Sequence, residues 1–161
     1  MKKALIALSL AIIALDQWTK LYIKSHFALY EAKSVINGFF DITYVLNPGA
    51  AFGFLAKLDE AYRRGFFVVI TIVAIAAVAY LLMKEKHLKL RLVSYTLVLA
   101  GAVGNFIDRI YMGKVVDFLL FYYKSYQWPA FNVADTAISI GIGLLMIDYF
   151  FMKRNKDANH A

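Results

Sequence analysis

Four long apolar stretches alternate with polar connections along this chain. Apolar residues dominate at 4–23, 66–83, 92–107 and 133–152. A bilayer-crossing helix needs about 20 such residues, so the pattern predicts four transmembrane helices. The third stretch is slightly short and is extended to 90–108. The expected architecture is a single all-α membrane domain over 1–161, with extracytoplasmic segments at 24–65 and 109–132. The first stretch, MKKALIALSLAIIAL, also has the charged start and apolar middle of a secretory leader. DQWTK follows it in place of a small-residue cleavage site, so it is read as a retained helix.

Between the spans the periodicity changes. VINGFFDITYVL, residues 35–46, is rich in β-branched and aromatic residues and predicts one or two short strands at the membrane interface, a small extracytoplasmic β element. NPGAAFG, 47–53, breaks regularity, because Pro48 fixes φ and Gly49 permits positive φ. Residues 54–65, FLAKLDEAYRRG, place Phe54, Leu55, Leu58, Ala61 and Tyr62 near one helical face. They predict a surface-lying amphipathic helix, with a solvated connector as the alternative. The tail NKDANHA reads as disordered.

Composition supports a membrane protein: 61% of the 161 residues are hydrophobic, 16% aromatic and only 18% charged. Orientation rests on Lys and Arg beside the spans. Each side of the membrane would hold nine, but KEKHLKLR packs four into eight residues, whereas 24–65 spreads five over 42. Both termini are therefore expected in the cytoplasm. The net charge of +7 then reflects orientation rather than nucleic-acid binding. The absence of cysteine removes disulfides, thiolate metal sites and cysteine nucleophiles. His26, His87 and His160 show no ligand spacing, so neither a metal nor a cofactor is expected.

The acids carry the chemistry. Asp16 and Lys20 stand four apart on one face of helix 1, either as an interface ion pair or as a strut beneath a site. In AGAVGNFIDR, Gly101, Asn105 and Asp108 form a small and polar stripe that must face protein or water, with Arg109 next to it. Asp117 follows in VVDF, and Asp135 opens helix 4 in FNVAD. Asn132 there is a good helix cap, and Asp135 also suits a helix start, so a structural role competes with a catalytic one. Asp135, Ser139 and Gly143 repeat at four and suggest an inward polar face. Asp148 reads as an interface residue. Asp117 and Asp135 are expected on one side of the membrane, where two carboxylates could converge. A transporter is disfavoured because the acids gather toward one side. A purely structural membrane subunit is lower still, and a serine–lysine hydrolase using Ser125 with Lys114 or Lys124 ranks third.

In order, DQWTK, NPGAAF, GNFIDR, VVDF and FNVAD resemble lipoprotein signal peptidase, the bacterial signal peptidase II, over nearly the whole chain. The resemblance implies an aspartic endopeptidase with Asp117 and Asp135 as catalytic pair, sensitive to globomycin, that removes signal peptides just before a diacylglyceryl-modified cysteine. It implies that Asp16, Lys20, Asn47, Gly49, Asn105, Asp108, Arg109 and Asn132 support the pair or hold substrate. The implied setting is the bacterial inner membrane, with the active site at the outer face. Expected partners are lipid-modified prolipoproteins and membrane lipid, and the chain is expected to act as a monomer. Two carboxylates sharing one proton can hydrolyse a peptide without metal or thiol, which agrees with the residues available.

Overall fold

The computed structural model describes residues 2–49, 59–86 and 88–158, with side chains described as far as residue 150. The apolar stretches fold as helices α1 (Lys2–His26), α2 (Glu60–Lys84), α3 (Lys89–Met112) and α4 (Val133–Ala158). Each is long and apolar enough to cross a bilayer, α4 through its portion Val133–Phe150. A helix satisfies its own backbone polar groups, which hydrocarbon cannot do. Large apolar side chains such as Ile6, Leu10, Val69, Val73 and Ile142 point outward, as lipid contact requires.

Helix α3 packs against the other three. Small residues allow this closeness. A Cβ at Gly101 would collide with the Ala134 carbonyl of α4, and one at Gly141 would come within 2.8 Å of the Ser94 carbonyl oxygen. The Ser94 and Thr96 hydroxyls are buried and donate to their own helix, at Leu90 O (2.7 Å) and Leu92 O (2.6 Å). At the far end Arg91 Nε meets Asp148 Oδ2 at 2.6 Å, so Asp148 ties α4 to α3. The packed face of α4 runs through Ala134, Ala137 and Gly141, all buried. The 135/139/143 face expected from sequence does not pack as a unit: Ser139 is exposed, and a Cβ at Gly143 would meet nothing within 4 Å. Close approach to α3 selects the glycine-bearing line, which lies about one residue, roughly 100°, around the helix.

At the end where α1 and α3 finish and α2 and α4 begin, the chain builds a four-stranded antiparallel sheet in the order β1-β2-β3-β4. The strands are β1 (Ala32–Ile36), β2 (Phe40–Asn47), β3 (Val115–Tyr123) and β4 (Tyr126–Gln127). The 35–46 expectation covers the end of β1, the turn and nearly all of β2, whereas β3 and β4 lie outside it. Residues 115–118 are all buried, so that end of β3 has no polar alternation to read. Gly113, left-handed at φ 70°, ends α3 and turns the chain straight into β3. Val116 and Phe118 pack with Ile23 of α1 in a small core. Asp117, between them, must point to the opposite face.

Residues 54–58 of the expected amphipathic helix lie outside the described residues. Residues 60–65 form the first turns of α2 itself, capped by Asp59, whose Oδ1 accepts the Ala61 N–H at 2.9 Å. The tail reading also shifts, because α4 continues to Ala158.

Candidate active site

Asn132 stands between the two acids. Its Oδ1 accepts the Asp135 N–H at 2.9 Å, and Asp135 Oδ2 accepts the Asn132 N–H at 3.3 Å, a reciprocal cap that starts α4. The same amide's Nδ2 donates to Asp117 Oδ1 at 2.8 Å. Asp135 is thus a capping residue and a neighbour of Asp117 together; the two readings of FNVAD do not exclude each other.

Each acid has a second amide donor. Asn105 Nδ2 donates to Asp135 Oδ1 at 2.7 Å, and Asn47 Nδ2 donates to Asp117 Oδ2 at 2.9 Å. Asn47 ends β2, which pairs with β3 so that Val45 sits opposite Asp117. The turn after it holds the side chain in place: Gly49 N–H donates to Asn47 Oδ1 at 2.9 Å, and Gly49 adopts φ 90°. A Cβ there would lie 2.5 Å from the Phe67 ring of α2. Glycine therefore serves both the turn and the close approach.

Beneath the acids lies a buried charged cluster. Lys20 Nζ reaches Asp16 Oδ2 at 2.8 Å and Asp108 Oδ2 at 3.0 Å, and it donates to Asn105 Oδ1 at 3.0 Å. Three partners match the three protons of an ammonium. Lys20 is 2% exposed and Asp16 0%, so the pair is a strut and not a snorkelling ion pair. The cluster also fixes backbone: Asp16 Oδ1 accepts Ala134 N–H at 2.9 Å, and Asp108 Oδ2 accepts Val116 N–H at 3.1 Å. Those two amides adjoin Asp135 and Asp117 in sequence. Asp16 of α1 and Asp108 of α3, joined through Lys20, thus hold the backbone beside both acids without a direct hydrogen bond to either carboxyl.

Gln17 was missed by sequence reasoning, although it lies inside DQWTK. Its Nε2 contacts Asp16 Oδ2 (3.1 Å), Gly104 O (3.1 Å) and Asp108 Oδ1 (3.2 Å). Its position one residue from Asp16 was the available signal. Arg109 is half-buried and lies over the Phe67 ring, 6.0 Å from its centroid, with no salt bridge among the described residues. The serine–lysine alternative gains nothing: Lys114 pairs with Glu60 at 3.2 Å, and Lys124 lies over Tyr123.

Burial pushes the Asp117 carboxyl up to about 7, and the neighbouring Asp135 charge pushes the same way. The Asn47 and Asn132 amides and the Lys20 charge pull against this rise. Asp117 therefore holds its proton close to neutral pH.

The family described as Signal peptidase (SPase) II matches residues 8–151. A lipoprotein signal peptidase of Syntrophus aciditrophicus (strain SB) is 48% identical over 160 residues, spanning 97% of this chain and 99% of that one. One from Geobacter metallireducens (strain ATCC 53774 / DSM 7210 / GS-15) is 44% identical over 149 residues, spanning 92% and 91%. A bacterial membrane enzyme solved by the in meso method at 2.3 Å resolution superposes with a TM-score of 0.86 at 34% identity, covering 96% of this chain and 92% of that one.

Proposed function

The chain belongs to the signal peptidase II family, and from that premise we propose that it is an aspartic endopeptidase of the bacterial cytoplasmic membrane that cuts diacylglyceryl-modified prolipoproteins just before the lipidated cysteine. It removes signal peptides from prolipoproteins, which its family and its relatives' name, lipoprotein signal peptidase, support. The observation that carries the aspartic mechanism is the single amide of Asn132, which holds Asp117 at 2.8 Å through Nδ2 and the Asp135 N–H at 2.9 Å through Oδ1.

Asp117, with its proton held to about pH 7, is the acid of the pair. Asp135, at the start of α4 and accepting from the Asn105 amide and the Asn132 N–H, is the base. Water attacks the scissile carbonyl carbon as Asp135 takes its proton and Asp117 gives its own to the carbonyl oxygen. The resulting diol collapses: Asp135 returns its proton to the departing amine nitrogen, Asp117 recovers one from a diol hydroxyl, and the C–N bond breaks. The pair ends as it began.

The acids lie at the sheet end of the helices, which we place at the outer face, with both termini in the cytoplasm. A substrate anchored by two acyl chains presents its cleavage point at a fixed depth, and this raises its effective concentration there. Asp16, Lys20, Asn47, Gly49, Asn105, Asp108 and Asn132 position the pair, and Arg109 borders it from α3. The enzyme acts as a monomer and is inhibited by globomycin. The test is incubation of purified protein with lipidated and unlipidated prolipoprotein, following release of the signal peptide. Lipidated substrate is cut much faster; failure to cut either substrate overturns the proposal.

A further inference from the structure

A second concave site lies on the face of the sheet away from Asp117. Val116 and Phe118 alternate with Asp117 along β3 and turn toward α1. Between them and the last turns of α1 opens a groove of about 440 Å³, walled by Trp18, Tyr22 and His26 on the helix and by Val35, Ile42 and Phe118 on the sheet. The catalytic arrangement described above uses none of these six.

Its chemistry is that of a membrane boundary. Trp18 is 64% exposed and Tyr22 50%, and both stand near the end of a helix apolar enough to span the bilayer. Aromatic residues there sit at headgroup depth. Tyr22 and His26 stack at 4.1 Å between centroids, so the helix wall is a continuous aromatic surface. Lys33 stands at the rim with Nζ 4.5 Å from the Phe27 ring centroid. Among the described residues Lys33 and His26 are the basic groups that line the groove, and no acid lines it. The neighbouring Glu31 does not line it; Glu31 Oε2 accepts the Ala28 N–H at 2.7 Å, and its Oε1 meets Lys33 at 3.3 Å. An ammonium has three donors, so Lys33 retains others for a ligand.

We propose that this groove binds one anionic phospholipid from the leaflet on the sheet side, its acyl chain along the aromatic and aliphatic walls and its phosphate at Lys33 and His26. An apolar trough ending in basic groups fits such a lipid, and each basic group near a membrane surface favours anionic headgroups. The bound lipid bridges α1, which carries Asp16 and Lys20, to the sheet that carries Asp117.

Native mass spectrometry of the full chain released from nanodiscs tests this without reference to peptidase activity. In discs holding equal phosphatidylglycerol and phosphatidylcholine, one phosphatidylglycerol stays bound. Lys33→Glu lowers the retained fraction at least fivefold, whereas Lys86→Glu, an equal charge change on the exposed α2–α3 connection, leaves it unchanged. Trp18→Ala, an exposed site, lowers retention through the wall. Equal retention of both lipids, or retention unaffected by Lys33→Glu, means annular lipid only and overturns the proposal. Displacement of the lipid by an unlipidated signal peptide would assign the groove to substrate and overturn it as well.

Discussion

Lys20 decides which way round the Asn105 amide stands. Its Nζ lies 3.0 Å from Asn105 Oδ1, and an ammonium only donates, so the amide oxygen must face it. The second donor to that oxygen is Asn132 Nδ2, at 3.2 Å. The Asn105 NH2 is left to face Asp135, at 2.7 Å. A charge on α1 thereby sets the polarity of the donor presented to an acid on α4.

Lys20→Met removes the cation that Asp16 and Asp108 share and frees the Asn105 amide to flip. Breaking a buried pair by deleting one partner costs about 3–5 kcal/mol. Thermal unfolding in detergent should show a loss of that order, and residual folded protein should turn over substrate at least tenfold more slowly. A variant with wild-type stability would mean that the cluster carries little of the fold.

Asp117→Asn and Asp135→Asn should each reduce turnover by about a thousandfold, in the range of a lost general acid or base, while the protein stays folded. The structural alternative for Asp135 makes a different forecast. Asn at that position still accepts the Asn132 N–H, and one charge fewer at a helix start costs only about 0.3–1 kcal/mol. Turnover within a few-fold of wild type by either folded variant would eliminate the two-carboxylate mechanism.

The sequence displayed the site more fully than it displayed the sheet. Asp16 and Lys20, and Gly101, Asn105 and Asp108, were legible because helical periodicity alone puts them on shared faces, and polar groups in an apolar helix must find partners. Asp117 was visible as an acid among hydrophobic neighbours, but its strand was not, since VVDF is buried on both faces and pairs with residues 68 to 72 positions away. The Asn132 link was half legible: a helix cap can be read locally, whereas its other contact, to Asp117, needs β3 in place. The Ser139 and Gly143 expectation failed because periodicity gives several candidate faces and only packing against α3 selects one.

Orientation can be read with single cysteines in this cysteine-free chain. Ser34 on β1 and Lys86 between α2 and α3 are both exposed and lie at opposite ends of the helices. In intact cells stripped of any outer membrane, an impermeant thiol reagent should label Ser34→Cys and spare Lys86→Cys. The reverse pattern would invert the proposed topology.

Gly49→Ala should damage catalysis more than folding. A left-handed backbone costs a residue with a Cβ about 1–2 kcal/mol, and the new methyl would press on Phe67. Relief requires the turn to move, which carries Asn47 away from Asp117. The expected outcome is a drop in kcat of about tenfold or more with a smaller change in melting temperature. An unchanged kcat would show that the Asn47 contact is dispensable.

The proton on Asp117 gives the last prediction, and its sign can be worked through. Burial and the Asp135 charge raise this carboxyl from the ordinary aspartate value of 3.8 to about 7, so the singly protonated pair survives up to neutral pH and is lost above it. Turnover should therefore decline above about pH 7, approaching tenfold per pH unit. Stability should follow the same group. The folded state keeps a proton that the unfolded chain releases near 3.8, so this contribution is full below that pH and is lost as pH rises to about 7. Asp117→Asn, which resembles the protonated acid, should lack that loss and gain stability relative to wild type between pH 4 and 7. Asn47→Ala tests the cause: its amide lowers the Asp117 value, so removing it should shift the alkaline limb of the residual activity to higher pH. A limb that stays in place, or moves down, would mean that the Asn47 contact does not tune this proton.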